Sequence, residues 1–264
     1  MNLKLKFKTA FISGSTQGIG LAIAKKLLDE GADVIINGRN QLKMQAAVVK
    51  LQQEFPHTNI TGIAADFQKP DEIDRLIAKL PEVDILINNV GIFEQKEFDQ
   101  ISDEDWNRFF QINVMSCIRL SRAILPKMID GNSGRIIFIS SESAVKIPSN
   151  MIHYGMTKAA MVATARGLAE LTKSSDVTVN SILGGPTYSD GVAEVVTQIA
   201  ESTKQEVDLF KRNLFQSLNP TSLIQRFIEP EEIANLVVYL ASPLSSATNG
   251  TAVRADGGLL QTTY

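Results

Sequence analysis

Two residues capable of acid–base chemistry lie close together in the segment "YGMTK", where Tyr154 and Lys158 are four residues apart. On a helix this spacing places both side chains on one face, within reach of a common ligand. A phenol with a pKa of about 10 transfers protons poorly at neutral pH, and a nearby ammonium group lowers that pKa by stabilising the phenolate. The pair is a candidate acid–base site, although the same spacing is also common in exposed pairs.

A glycine-rich loop near the N-terminus is a candidate phosphate cradle. The segment "FISGSTQGIG" has the pattern of an apolar strand and a turn carrying Gly14, Gly18 and Gly20, and a helical pattern, "LAIAKKLLDEG", follows. Such glycines allow a sharp turn and a close approach of pyrophosphate, while the helix N-terminus offers free N–H groups. No Lys-Ser or Lys-Thr pair follows, as a P-loop would require. The loop favours a dinucleotide site over a structural turn.

The end of the second predicted strand indicates which dinucleotide is bound. A site for NAD usually carries an acid there that holds the ribose 2′-hydroxyl. This chain has Asn37 and Gly38 at that place and Arg39 directly after them. A guanidinium group suits a 2′-phosphate, so the sequence favours NADP(H) over NAD(H). The alternative is that Arg39 is an ordinary solvated side chain.

The order of short apolar runs and amphipathic stretches predicts a doubly wound α/β fold. Amphipathic stretches predict three helices. One spans Gly20–Asp29, one begins after Ser102, whose capping partner is Asp105, and one begins at Pro230. Residues 184–228 are expected to form one or two helices inserted between the sixth and seventh strands, either a lid or a permanently packed element. Seven runs, mostly β-branched, predict strands covered on both faces of a parallel sheet: Thr9–Ser13, Asp33–Asn37, Gly62–Ala65, Ile85–Asn88, Ile136–Ser140, Thr178–Leu183 and Thr251–Arg254.

Composition narrows the possible functions. The 264 residues suffice for one large domain, and their net charge of −3 argues against binding to nucleic acid or to an anionic membrane. The first eight residues lack a secretory pattern, and no apolar run approaches the ~20 residues that span a bilayer. The sequence therefore predicts a cytoplasmic protein. The single cysteine, Cys117, excludes an internal disulfide and a multi-cysteine metal site, and is expected to be buried; no metal is predicted.

Five motifs occur together and in one order along the chain: "SGSTQGIG", "NNVG" at 88–91, "QINV", "IIFISSES" and "YGMTK", with "VRADGG" at 253–258 near the end. In order and spacing they resemble the short-chain dehydrogenases/reductases, in the single-domain branch of that family. The resemblance covers essentially the whole chain. It implies one Rossmann-type domain over residues 1–264, with a seven-stranded parallel sheet flanked by helices and a substrate lid at about 184–228.

The resemblance also implies catalytic roles. Tyr154 would be the general acid that protonates a substrate carbonyl, and Ser141 would hydrogen-bond the same oxygen, while Ser140 faces the other side of its strand. Lys158 would lower the pKa of the tyrosine and bind the nicotinamide ribose. Asn113 would hold a water molecule that links Lys158 to solvent.

The same resemblance implies which residues contact the cofactor. They include residues of the glycine-rich loop, of the end of the second strand and of the base of the lid. Two positions depart from the family pattern: Val90 replaces an alanine, and Gly184 replaces a proline before the retained Gly185. The loss of the proline predicts a more flexible base of the lid. The implied contact residues are Ser13, Gly14, Ser15, Gln17, Gly18, Ile19, Gly20, Arg39, Asp66, Asn89, Gly91, Tyr154, Lys158, Gly185, Thr187 and Ser189.

The substrate is less defined by the sequence. Phe93, Ser143 and Tyr188 are expected to line its site, together with apolar residues of the insertion, whereas Glu142 is expected to face solvent. The main hypothesis is a small-molecule carbonyl or alcohol substrate. One alternative is a 3-oxoacyl-[acyl-carrier-protein] reductase, which the lack of basic residues at positions 132 and 175 weakens. Another is a catalytically silent NADP(H)-binding sensor or scaffold. Family members of this size also suggest a homotetramer or a dimer.

Overall fold

The computed structural model describes residues 2–263, and its centre is one sheet of seven parallel strands. The strands are β1 (Thr9–Ile12), β2 (Asp33–Gly38), β3 (Ile60–Ala64), β4 (Ile85–Asn88), β5 (Gly134–Ser141), β6 (Val177–Gly184) and β7 (Ala252–Ala255). Their order across the sheet is β3-β2-β1-β4-β5-β6-β7. The chain therefore winds outward in one direction from β1 and in the other from β4, which is the predicted doubly wound arrangement.

All seven predicted strands are confirmed, and only their ends differ. β3 and β5 each begin two residues before the predicted start, because Ile60 pairs with Val34 and Gly134 pairs with Val177 across the sheet. Every residue of β5 and β6 is buried. Continuous burial explains why apolar residues in these strands do not alternate strictly with polar ones, as they would in a strand with one exposed face.

Helices cover both faces of the sheet. Their starts follow the predicted signals: Ser102 and Asp105 form a capping box at the first turn of α4, and Pro230 opens α9. The bounds are α1 (Gly18–Asp29), α2 (Gln41–Glu54), α3 (Pro70–Lys79), α4 (Asp103–Phe109), α5 (Ser116–Asp130), α6 (Ile152–Glu170), α7 (Asp190–Ser202), α8 (Val207–Leu218) and α9 (Pro230–Ala241).

The core consists of two apolar layers, one on each face. Ala10 and Ile12 of β1 belong to the layer under α1 and α9, and Phe11 between them belongs to the opposite layer under α5 and α6. Alternate side chains of a strand point to opposite faces, so a continuous apolar strand feeds both layers. Cys117 lies in the second layer with 2% of its surface exposed, and burial raises the pKa of its thiol to about 12, which confirms the predicted apolar role.

The insertion between β6 and β7 contains two helices, α7 and α8, as predicted. Its base is closed where Thr187 pairs with Ile228, and the buried Phe215 of α8 packs edge-on against Phe227. The insertion thus has an apolar anchor on the body of the protein. Movement of this segment as a lid stays a prediction.

Within residues 2–263, no helix is long and apolar enough to cross a membrane. Over the same residues, no group of three or more His, Cys, Asp or Glu side chains is arranged to hold a metal ion.

Candidate active site

A cleft crosses the carboxyl edge of the sheet between β1 and β4. It consists of two adjoining cavities of about 430 and 220 Å³, and both are lined by Gly14, Gln17, Val90 and Gly91. In doubly wound sheets the loops diverge at this point because the strand order reverses there, and nucleotides bind in the resulting crevice. The cleft is the candidate cofactor site.

The glycine loop forms one wall of this cleft, and its shape requires glycine. Gly14 adopts a φ of +63°, in the left-handed region that other residues avoid. A Cβ on Gly20 would lie 2.4 Å from the carbonyl oxygen of Gly14 and 2.6 Å from Nδ2 of Asn89. The first turn of α1 therefore packs directly on the loop, and its N–H groups face the smaller cavity, lined also by Gly18 and Ile19.

Two buried serines of the loop hold it against the neighbouring strand ends by hydrogen bonds. Ser13 is fully buried, and its hydroxyl accepts hydrogen bonds from the backbone N–H groups of Asn89 and Val90. Ser15 is also fully buried and accepts a hydrogen bond from the N–H of Asn37. These side chains join the ends of β1, β2 and β4, and the contact of Ser13 and Ser15 with a cofactor stays a prediction.

The larger cavity ends in a basic corner at the end of β2. Arg39 and Asp66 both line it, as predicted, and Asp66 also accepts a hydrogen bond from the N–H of Gln68. Lys43 and Thr16, which the sequence did not predict, line the same corner. The segment "GRNQLK" carried a signal for Lys43, because Asn40 caps the start of α2 and Lys43 is a second cation in the first turn of that helix.

A carboxylate from the insertion lines the smaller cavity. Asp190, the first residue of α7, accepts a hydrogen bond of 2.6 Å from the backbone N–H of Gly18 at the start of α1. Ser189 lies beside it and also lines this cavity. A helix N-terminus attracts anions, so Asp190 takes a position that suits a phosphate group.

The predicted catalytic side chains meet where β5 and α6 adjoin the cleft. The Lys158 Nζ atom lies 5.6 Å from the centroid of the Tyr154 ring and donates a hydrogen bond of 3.0 Å to the Ile139 carbonyl oxygen. The Ser141 hydroxyl lies near enough to the Tyr154 phenol to lower its pKa, against the larger effect of burial. Ser140 points the other way and donates to the backbone carbonyl of Lys158, as alternation along β5 predicts. The structure thus brings Ser141, Tyr154 and Lys158 into one cluster.

Asn113 joins this cluster through a distortion of the helix that carries it. Residues Phe110–Met115 form a π-helical segment between α4 and α5, a feature that is frequent at functional sites. The Asn113 side chain exchanges hydrogen bonds with both backbone groups of Ile92 and donates to Thr157 Oγ1. A Cβ on Gly91 would lie 3.4 Å from Lys158 Nζ and 3.5 Å from Asn113 Oδ1, so these two polar groups face the same backbone position.

Burial sets the protonation of the cluster. It lowers the pKa of the Lys158 ammonium group to about 8, because the charged form loses its water. Burial raises the pKa of the Tyr154 phenol, and the neighbouring Glu142 carboxylate raises it further. The Ser141 hydroxyl lowers the pKa of the phenol, and the lowering by Lys158 stays a prediction.

The position of Glu142 differs from the one expected from the sequence. It was expected to face solvent, but it is partly buried, and its two carboxylate oxygens accept hydrogen bonds from the Ser141 and Ser143 hydroxyl groups. The cause is local: β5 ends at Ser141 and the chain enters a 3₁₀ turn, Glu142–Ala144, which breaks the strand alternation. Burial raises the pKa of the Glu142 carboxyl group.

The predicted substrate residues are divided between two places. Phe93 packs edge-on against Tyr154 with ring centroids 6.4 Å apart, and Ser143 lies on the turn after β5, where its hydroxyl donates a hydrogen bond to Glu142. Tyr188 lies at the base of the insertion, between Phe227 and the Lys211 ammonium group.

The remaining predicted contacts at the base of the insertion have structural partners. A Cβ on Gly185 would lie 2.9 Å from the backbone of Asp256, so this glycine permits close packing with the C-terminal loop. Thr187 donates a hydrogen bond to the Gly185 carbonyl oxygen.

Known proteins resemble this chain over its whole length. The uncharacterized oxidoreductase YvrD of Bacillus subtilis (strain 168) is 48% identical over 264 residues, 99% of each chain, and YvaG of the same strain is 43% identical over 264 residues, 100% of each chain. The crystal structure of L-sorbose reductase from Gluconobacter frateurii, complexed with NADPH and L-sorbose, superposes with a TM-score of 0.92 at 28% identity, covering 99% of this chain and 100% of that one. The family model described as short chain dehydrogenase matches residues 8–200. Since that match spans most of the chain and the relatives align from end to end, the chain belongs to the short-chain dehydrogenase/reductase family of oxidoreductases.

Proposed function

We propose that the protein is an NADP(H)-dependent oxidoreductase that interconverts a carbonyl compound and a secondary alcohol. The observation that carries the proposal is the meeting of Ser141, Tyr154 and Lys158 beside a glycine-lined cleft at the switch point of the sheet. These are a hydroxyl donor, a phenolic acid and a cation, which are the groups that carbonyl reduction needs. Membership in an oxidoreductase family supports the same reaction class.

Each side chain would perform one step of the reduction. Bound NADPH would supply the hydride that the carbonyl carbon receives. Tyr154 would donate its phenolic proton to the carbonyl oxygen as negative charge develops there, and Ser141 would hold that oxygen by a hydrogen bond. Lys158 would stabilise the phenolate that remains, and Asn113 would hold a water molecule through which the proton is restored.

The residues of the cleft fit a dinucleotide with a 2′-phosphate. Gly14 and Gly20 leave room for pyrophosphate beside the start of α1, where side chains would collide. Arg39 and Lys43 place two cations in the corner at the end of β2. No acid follows β2 directly, so nothing there would hold the 2′-hydroxyl of NAD(H) in the usual way.

Replacing Arg39 by alanine should weaken NADPH binding by about tenfold or more and leave NADH binding nearly unchanged. A hydrogen bond to a charged group contributes about 1.5–3 kcal/mol, and about 1.4 kcal/mol corresponds to a factor of ten. Titration of the nucleotide fluorescence measures both affinities. Arg75→Ala, which removes an exposed arginine paired with Asp71 on α3, is the matched control. Equal or tighter binding of NADH by the wild-type protein would show that the assignment to NADP(H) is wrong.

Replacing Asp190 by asparagine should tighten binding of NADPH by about fivefold. The Asp190 carboxylate occupies the N–H group of Gly18 that the pyrophosphate would use, and a typical hydrogen bond contributes about 1 kcal/mol. The dissociation constant of NADPH is the quantity to measure. Asp208→Asn changes an exposed acid in the first turn of α8 and serves as the control. Unchanged or weaker binding in Asp190→Asn would contradict competition between the two anions.

The substrate can be sought with a panel of ketones, ketoses and the corresponding alcohols. L-sorbose belongs in the panel because a structural neighbour is a reductase of that sugar. The loss of nicotinamide absorbance reports turnover. We expect at least one carbonyl compound to be reduced with NADPH; a complete lack of turnover in a protein that binds NADPH would favour the silent sensor or scaffold.

A 3-oxoacyl-[acyl-carrier-protein] reductase is the second candidate, and the surface near β5 and β6 weakens it. Docking of an acidic carrier requires exposed cations. Position 132 is an asparagine that accepts a hydrogen bond from the Asp176 N–H, and position 175 is a serine. Arg135 nearby is 7% exposed and donates hydrogen bonds to the carbonyl oxygens of Gly134, Asp176 and Ser242.

Assembly as a homotetramer or dimer and a cytoplasmic location stay predictions. Light scattering of the purified protein would measure its molecular mass in solution and hence its oligomeric state.

A further inference from the structure

Glu142 touches the predicted catalytic cluster but has no role in the mechanism above. We propose that Glu142 is a positioning residue: its ionised carboxylate holds the hydroxyl proton of Ser141, and its protonation releases that proton to the substrate carbonyl. The inference rests on the proposed function, since it concerns the same reduction at the same site.

The hydrogen bonds of Ser141 are the first argument. A hydroxyl group has one proton to donate and two lone pairs that accept. The Ser141 oxygen accepts a hydrogen bond of 3.1 Å from the Ser143 N–H, and its proton is donated to Glu142 Oε2. A carbonyl oxygen can only accept. With the carboxylate ionised, an incoming carbonyl therefore meets a hydroxyl whose proton is already engaged in a charge-assisted bond, the stronger kind.

Protonation of Glu142 reverses this arrangement. The carboxylic acid then has a proton of its own, which it can donate to the second lone pair of Ser141 Oγ. The Ser141 proton becomes free to point at the carbonyl oxygen. No covalent bond is made or broken at Ser141, and the proton transferred to substrate still comes from Tyr154.

The surroundings of Glu142 allow this protonation. Burial raises the pKa of its carboxyl group, while hydrogen bonds from Ser141 and Ser143 oppose the rise. The titratable groups that face it come from α6: the Tyr154 phenol and the Lys158 ammonium group, which both respond to its charge. Lys146 on its own turn is exposed, and β6, which packs against this turn, carries no titratable side chain.

The charge of Glu142 also acts on Tyr154. The ionised carboxylate raises the pKa of the phenol, which makes it a weaker acid for reduction. Both effects have the same sign: ionisation of Glu142 removes the Ser141 donor and weakens the Tyr154 acid. Reduction should therefore slow as pH rises through the titration of Glu142.

The decisive variant is Glu142→Gln, whose amide can donate to Ser141 at every pH. In the wild-type protein, kcat/KM for carbonyl reduction should fall by about tenfold or more with rising pH, since loss of one oxyanion donor costs about 10²–10³ in well-studied enzymes. In Glu142→Gln this fall should be absent. For alcohol oxidation, which needs the phenolate, the alkaline rise in rate should move to lower pH in the same variant.

A second variant separates this role from simple packing. Ser143→Ala keeps the Glu142 carboxylate but removes a hydrogen bond that favours its charged form. The decrease of kcat/KM for carbonyl reduction should therefore occur at higher pH. Glu170→Gln changes an exposed glutamate at the far end of α6 and should leave the profile unchanged. An unaltered profile in Glu142→Gln, or no displacement in Ser143→Ala, would overturn the proposal.

An infrared titration tests the protonation without turnover. The wild-type protein should show a protonated-carboxyl band that disappears with rising pH and is absent from Glu142→Gln; lack of such a band would overturn the inference alone. If no carbonyl compound is reduced by the wild-type protein, the proposed function fails first and the inference falls with it.

Discussion

Replacing Tyr154 by phenylalanine should reduce turnover by about 10³-fold or more while NADPH still binds. Proton transfer by a positioned side chain contributes about 10²–10⁴ in rate, and the phenol lies beside both Ser141 and Lys158. The ring itself stays, so its edge contact with Phe93 and the packing of α6 are preserved. Steady-state rates with the best substrate of the panel and a fluorescence titration with NADPH measure the two effects separately.

The matched control is Tyr239→Phe, which removes a hydroxyl from a tyrosine on α9 that is 40% exposed. It should be indistinguishable from wild type in both measurements. Turnover by Tyr154→Phe at a wild-type rate would refute the acid role of Tyr154, and loss of NADPH binding would mean that the phenol holds the cofactor instead.

Replacing Gly20 by alanine should weaken NADPH binding by at least about 10²-fold. The added Cβ would lie 2.4 Å from the Gly14 carbonyl oxygen and 2.8 Å from the Ser15 Cα, so backbone atoms of the loop would have to move. Misplacement of the cradle removes several N–H contacts to phosphate together, and each hydrogen bond to a charged group contributes about 1.5–3 kcal/mol. The NADPH dissociation constant is the readout, with circular dichroism to establish that the variant is folded.

Gly167 provides the control, because a Cβ there meets no atom within 4 Å. Gly167→Ala lies inside α6 and should stabilise the protein slightly, by up to about 1 kcal/mol, since alanine favours helix over glycine. If Gly20→Ala bound NADPH as tightly as Gly167→Ala, the loop would not be a phosphate cradle.

The sequence predicted the fold because its patterns are local. A buried parallel strand is a short apolar run, so β4 was located to the residue, and the cap of α4 was visible in Ser102 and Asp105. Tyr154 and Lys158 were found for the same reason: four positions on one helix fix their relative placement. These features need no knowledge of distant parts of the chain.

The features that the sequence did not predict depend on contacts between distant residues or on burial. Asp190 lies 172 residues from Gly18 in the chain, and only the folded insertion brings its carboxylate to the cradle. The 3₁₀ turn after β5 directs Glu142 toward Ser141, against the alternation expected of a strand. The raised pKa of Tyr154 reflects burial, which spacing to Lys158 alone does not reveal.

In the proposed reaction, a hydride passes from NADPH to a carbonyl carbon while Tyr154 protonates the carbonyl oxygen. The most direct test uses NADPH deuterated at the transferring carbon of the nicotinamide, with mass spectrometry of the alcohol product. We predict deuterium on the new carbinol carbon with the wild-type protein and none above background with Tyr154→Phe. Tight binding of NADPH with no deuterium transferred to any member of the carbonyl panel would show that the protein is not a carbonyl reductase of these compounds.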